Sequence, residues 1–394
     1  MPRILSLATL YPNALTPRFG TFVARQMEAL AAMDGWDVTV MNPIGIPPIP
    51  FGRYRKLAEA AVDGMEGGVE VHRPRFTLIP GVGGPINPRM IANAVLPLAG
   101  RLHEAEPFDL VDAQFFYPDG PAASRIAQAL GLPLSAKARG ADISHWGAKD
   151  YAATAMREAA QQADGLLAVS EALARDMAAI GLPRDRITIH YTGLDRALFH
   201  PRDRAASRRR LNDDFGIDLG ESARLLASVG ALIPRKGQAF VIEALAHLPD
   251  THLALVGTGG DLADLQALAR DLDLSRRVHF LGSLDHGALP LLLSAADAMV
   301  LPSASEGLAN AWVESLACGT PLVITDAGGA RELVRDETAG RIVARDADAI
   351  AAGVREVIQA DYPPEAVAAN VAQFSWEANA TALAAYYQQL MAKA

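Results

Sequence analysis

One cysteine, Cys318, stands in 394 residues. It permits no intrachain disulfide and no thiolate metal site, and within its apolar stretch it reads as packing. The nine histidines form no HExxH and no close pair on one helical face, so no zinc ligation is expected. No apolar run reaches the roughly 18 residues of a membrane span. The opening stretch 1–10 is too short in its apolar part for a signal peptide and reads as a first strand, so a cytoplasmic location is expected. Basic excess is also lacking: 45 acids face 36 Lys and Arg, a net charge of −9. Nonspecific nucleic-acid binding needs basic surface and is not expected. There is no low-complexity tract and no short-period repeat.

What is present is ordinary globular material. Half the residues are hydrophobic and 21% are charged, so the chain can bury cores, and its length predicts two domains. Short apolar strands over 4–9, 38–41, 69–73, 109–113, 134–138, 166–170 and 187–190 alternate with helical spacing over 22–33, 122–130 and 171–180. The stretch 45–52, dense in Pro and Ile, reads as an exposed loop. After Pro201 comes a charged run, 202–214, read as a solvated helix within a linker over 201–222. A second series of strands follows at 224–229, 253–256, 278–281, 298–301, 322–325 and 341–343, and a final helix over 376–391. Alternation of this kind predicts a parallel sheet with helices on both faces. The expected domains are 1–200 with the final helix 376–394, and 223–375.

The most informative stretch runs from Leu301 to Thr325: a strand, a polar turn, a helix ended by Gly319 and Pro321, and another strand. Glu306 is expected at the helix mouth and Glu314 two turns inside, roughly 12 Å apart along the axis. The backbone amides of Gly307, Leu308, Ala309 and Asn310 are expected in the first turn, unpaired and beside the positive dipole end, a place for phosphate or sugar oxygens. The two acids then grip the ends of one elongated polyol ligand. The competing reading leaves Glu306 complementing the dipole and Glu314 on a solvated face.

Other strand ends carry candidates. Arg235 and Lys236, in Pro234-Arg235-Lys236-Gly237, put two mutually repelling cations in a tight turn, a site for a diphosphate. The turn departs from a P-loop, with Arg235 where a glycine and Gly237 where Ser or Thr should stand. Gly257 and Gly259 begin a GxG turn without the third glycine of a dinucleotide fingerprint. Gly20, before the first helix, would let a ligand approach the backbone. Arg139 and Asp142 follow a strand end; Arg139 stays protonated and cannot be a base, so an electrostatic or sugar-binding role is expected for it, with Asp142 on the acceptor or sugar side, and an Arg139–Asp142 ion pair is the alternative. Asp346-Ala347-Asp348 is formally a DxD, read as a helix N-cap.

Glu306-x7-Glu314, set in Glu-Gly-Leu-Ala-Asn-Ala-Trp-Val-Glu-Ser-Leu-Ala-Cys-Gly-Thr-Pro-Leu-Val, resembles the signature of retaining family 4 glycosyltransferases. That resemblance implies the GT-B fold: two Rossmann-like domains facing across a cleft, with the C-terminal helix returning to the first. It implies that Glu306 binds donor-sugar hydroxyls and Glu314 the ribose. Arg235 and Lys236 contact the donor diphosphate, Gly257 lies beside the nucleotide, and Gly282 with Ser283 belongs to the segment that reads the base. Arg139 replaces a histidine common in the family, and Gly20 remains of two adjacent glycines. His190 to Asp195 resembles a hinge segment, and Gly328-Gly329 a turn beside the cleft.

The expected substrates are a nucleotide sugar, UDP- or GDP-linked, and a saccharide or lipid-linked saccharide; no cofactor and no metal are expected. On the acceptor side, Arg53, Arg55, Lys56, Arg73 and Arg75 with Phe51, Tyr54 and Phe76 suggest a basic, aromatic patch for peripheral membrane contact at the inner face; scattered surface charge is the alternative. A nucleotide-sugar epimerase and a noncatalytic nucleotide-binding subunit fit the same elements, a dehydrogenase less well.

Overall fold

The computed structural model describes residues 1–220 and 223–393, apart from the side chain of Arg53. Two compact units emerge: Met1–Gly193 with the C-terminal segment from Trp376, and Leu194–Ser375.

The first unit is built on an eight-stranded sheet. Its order is Ile187–Ile189, Gly165–Ala168, Leu134–Ala138, Leu110–Ala113, Arg3–Leu7, Asp37–Met41, Val69–His72, Gly64–Glu66. All pairings are parallel except the last. Arg3–Leu7 is buried along its whole length, as a strand covered on both faces must be. Strand order reverses between Arg3–Leu7 and Leu110–Ala113, which makes a topological switch point.

The final helix, Trp376–Met391, presents Leu383, Ala384, Tyr387 and Leu390 at helical spacing. These join Val23, Met27 and Leu30 of the helix Thr21–Ala31 in one core cluster, so this helix belongs to the first unit. Gly193 ends that unit's main body against Trp376; a Cβ there would lie 2.0 Å from the indole ring.

The second unit holds six parallel strands in the order Val278–Gly282, Thr251–Val256, Arg224–Val229, Ala298–Leu301, Leu322–Thr325, Gly340–Val343. This is the doubly wound 3-2-1-4-5-6 order, and its switch point lies between Arg224–Val229 and Ala298–Leu301.

Three expectations need correction. The charged run forms the expected helix, Arg204–Phe215, but it belongs to the second unit and is not a linker. Its Arg208 meets Asp297 at 2.6 Å, joined by Arg224 at 3.2 Å and Arg204 at 3.6 Å, and Asp297 is 5% exposed. A buried carboxylate that also accepts the Leu225 N–H needs such partners. Glu221 and Ser222, the end of the expected linker, lie outside the described residues. The stretch 45–52 is also partly ordered: Ile44–Ile46 pairs in parallel with Arg75–Thr77. The long helix Asn87–Ala105 was not anticipated; Pro88 at its start and Pro97 inside it mask its spacing.

Candidate active site

In the second unit, the loops after the two switch-point strands carry the strongest candidates. After Arg224–Val229 the chain makes a short helical turn, Pro234–Lys236. After Ala298–Leu301 it runs through Pro302–Ala309 to the helix Asn310–Ala317. Arg345, not anticipated from sequence, ties the two together. Its guanidinium donates to the carbonyls of Pro302 at 2.8 Å and Pro234 at 2.7 Å. The Ala304 N–H donates to Arg235 O at 2.8 Å.

Glu306 is the meeting point. Lys236 Nζ donates to its Oε1, and Arg235 Nη1 lies 3.5 Å from its Oε2. Arg235 also donates to the Ser305 carbonyl. The Glu306 side chain is 9% exposed and that of Lys236 13%, so the pair is shielded, whereas Arg235 at 39% reaches solvent. The sequence reading left the two cations in conflict until an anion bound. The fold supplies that anion from 70 residues away.

The motif helix begins later than its spacing suggested. Asn310 is its first residue, and Ala309 before it is extended, with ψ 121°. Gly307, Leu308 and Ala309 therefore approach the helix in a loop, and the 12 Å rise between the acids does not apply. The Gly329 N–H holds this loop by donating to Gly307 O at 2.8 Å, which gives the Gly328-Gly329 turn its task.

Glu314 lies on the helix face opposite Trp312, two residues and about 200° away. His286 Nε2, on the loop after Val278–Gly282, sits 3.2 Å from Glu314 Oε1, and its ring packs edge-on against Phe199 at 4.9 Å. Gly282 and Ser283 open that same loop. Gly257 has φ +145°, and a Cβ there would lie 1.9 Å from the Gly230 carbonyl, so only glycine lets these two strand ends close up. Its N–H donates to Gly282 O at 2.7 Å. If Glu314 holds ribose hydroxyls, Glu314→Gln should raise the donor KM about 10- to 150-fold, the span of one hydrogen bond to a charged group, with kcat nearly unchanged. Initial-rate kinetics would check it, and an unchanged KM would remove Glu314 from donor binding.

Gly20, Arg139 and Asp142 belong to the first unit. Gly20 has φ +77°, and a Cβ would meet the Leu10 carbonyl at 2.5 Å. The close Leu10 backbone accounts for the missing side chain. Arg139 does not pair with the Asp142 carboxylate through its side chain. Its Nε donates to Gln114 O at 2.7 Å, its Nη2 to Gln26 and Gln114, and its guanidinium lies over the Phe22 ring at 4.9 Å. Burial lowers its pKa to about 10, so it stays charged at neutral pH. Asp142 accepts the backbone N–H groups of Phe116, Arg139, Gly140 and Ile143 and thereby closes the turn. Beside them Lys137, Gln26 and His190 form a buried network that sequence spacing did not reveal.

Two nulls hold. Asp346 caps the helix Ala347–Ala360 by accepting the Ala349 N–H at 2.8 Å. Cys318 is buried, and burial raises its thiol pKa to about 12, so it packs and does not react. Among the described residues, no helix is long and apolar enough to cross a membrane.

Residues 210–389 match the family described as "Glycosyl transferases group 1", and residues 19–193 match "Glycosyl transferase 4-like domain". The chain belongs to the GT-B glycosyltransferases of family 4 type. It is 36% identical over 215 residues to the D-inositol 3-phosphate glycosyltransferase of Mycolicibacterium gilvum, covering 52% of this chain and 47% of that protein. It is 34% identical over 250 residues to that of Mycobacterium bovis, covering 59% and 50%. The chain thus spans about half the length of the curated relatives it matches. Among solved structures, the chain resembles a sucrose-phosphate synthase from Thermosynechococcus elongatus, with TM-score 0.78, 22% identity and 100% coverage of both chains. It also resembles Anabaena HepE, solved with UDP and glucose, with TM-score 0.75, 22% identity and coverage of 99% and 100%.

Proposed function

We propose that this glycosyltransferase retains anomeric configuration while moving a sugar from a UDP- or GDP-linked donor to a hydroxyl of a saccharide or lipid-linked saccharide. The observation that carries the reading is the shielded Glu306 carboxylate between Lys236 and Arg235 at the switch point. The bond from the anomeric carbon to the diphosphate oxygen breaks and leaves an oxocarbenium-like centre. Arg235 and Lys236 stabilise the charge on the departing diphosphate, and Glu306 holds sugar hydroxyls beside the positive centre. The acceptor oxygen attacks from the face the diphosphate leaves, and its proton passes to a phosphate oxygen. Arg139 offers charge and hydrogen bonds, not a base.

This scheme needs no metal. The mycobacterial relatives are named for a phosphorylated polyol, which supports an anionic acceptor. We place the protein in the cytoplasm, with peripheral contact at the inner membrane face.

The test is incubation with UDP- and GDP-sugars in excess EDTA. Slow release of nucleoside diphosphate, abolished in Glu306→Ala, is expected. Formation of a new nucleotide sugar would identify an epimerase. Absence of release would identify a binding subunit, and release restored only by magnesium would overturn the metal-free step.

A further inference from the structure

A cavity of about 570 Å³ opens in the first unit, within the range of small-molecule sites. Thr9, Leu15 and Thr16 line it from the loop after Arg3–Leu7, and Pro118 from the segment after Leu110–Ala113. Those two strands flank the switch point, where open α/β sheets take ligands. The loops are fastened there: Asp119 accepts the Thr9 N–H at 2.9 Å and the Thr9 hydroxyl at 2.7 Å. The rest of the lining is mainly apolar and comes from the small sheet and its flanks, the helix Arg53–Leu57 and the helix Asn87–Ala105. It includes Phe76, Leu78, Leu57 and Ile91, with Tyr54 and Lys56 as polar members.

The charge pattern is one-sided. Apart from Pro118, every lining residue falls in three spans, 1–27, 38–58 and 71–103, that contain no Asp or Glu, in a chain with 45 of them. Lys56 is exposed and has no ion-pair partner among the described residues. The loops next to the lining expose large apolar side chains, notably Ile49 at 81% and Val82 at 75%, with Phe51 and Ile79. Arg73, expected in this patch, is instead buried against Glu66 at 2.7 Å, and Arg75 donates to the Ala58 carbonyl.

We infer that this cavity binds the lipid part of an anionic acceptor: an apolar chain attached to a phosphate, with the chain among Phe76, Leu78 and Ile91 and the phosphate at Lys56. A free saccharide would leave those apolar walls in water, and an acidic cavity would repel the phosphate. The inference rests on the proposed transfer reaction, for it names that reaction's acceptor class.

The test is equilibrium binding of monomeric farnesyl phosphate to the full chain without any nucleotide sugar, so that its failure is separate from failure of the transfer reading. Saturable binding is expected, weakened about tenfold for farnesol, which lacks the phosphate. Leu78→Trp, which fills the cavity, and Lys56→Glu should each weaken it about tenfold as well. Unchanged thermal unfolding and an unchanged donor KM in both variants would show the fold intact. Leu262→Trp, on an exposed helix of the second unit, should bind as the parent does. Equal binding of inositol 3-phosphate or inorganic phosphate would overturn the lipid. Flotation with anionic vesicles without monomer binding would replace the cavity with surface docking, and binding untouched by Leu78→Trp would place the ligand elsewhere.

Discussion

Glu306→Ala should lower kcat at saturating donor by about two to three orders of magnitude, the loss typical of one preorganised electrostatic group. Its carboxylate is 9% exposed and already held by Lys236, with Arg235 at 3.5 Å, so little reorganisation is needed as charge develops. Glu306→Gln keeps the shape and removes the charge. If charge is what matters, Gln should lose nearly as much as Ala, while the donor KM shifts far less than in Glu314→Gln. Acceptor-dependent release of nucleoside diphosphate measures both. Activity within threefold of the parent in the Gln variant would reduce Glu306 to a structural anchor for the cation turn. That threefold bound, roughly 0.7 kcal/mol, is smaller than any reasonable charge effect in a shielded site.

Trp312→Ala should destabilise the second unit by about 3–5 kcal/mol, the usual cost of emptying a buried aromatic site. Trp312 is 0% exposed and is the largest fully buried side chain. For a unit of this size the loss corresponds to a fall in Tm of about 6–20 °C. Trp312→Phe should cost much less. The indole N–H has no hydrogen-bond partner among the described residues, and removing an unpaired buried donor offsets part of the lost packing. Calorimetry on the three proteins tests this. Equal losses for Ala and Phe would mean the indole N–H is satisfied in solution. Because Trp312 and Glu314 share a helix, a weakened donor KM is expected to accompany the Ala variant.

Strand cores such as Gly165–Ala168 and Ala298–Leu301 were legible because buried parallel strands are continuous apolar runs. The Asp346 cap was legible because capping is local. The start of the motif helix was misplaced because the Gly329 N–H, over 20 residues downstream, holds Gly307 out of the helix. The arginine helix read as part of a linker because Asp297, which its Arg208 meets, lies almost 90 residues on. Arg345 left no local signal, since its acceptors are backbone carbonyls on two distant turns.

By itself, the order of residues determined the alternation of strand and helix, the types of group at each strand end and the acid-free spans of the first unit. These follow from periodicity and composition, which neighbours along the chain decide. Tertiary structure alone decided which strand ends adjoin, that Glu306 neutralises Lys236, and that three separate spans and Pro118 line one cavity. Such pairings depend on strand order and on hydrogen bonds across long loops, and no local spacing encodes either.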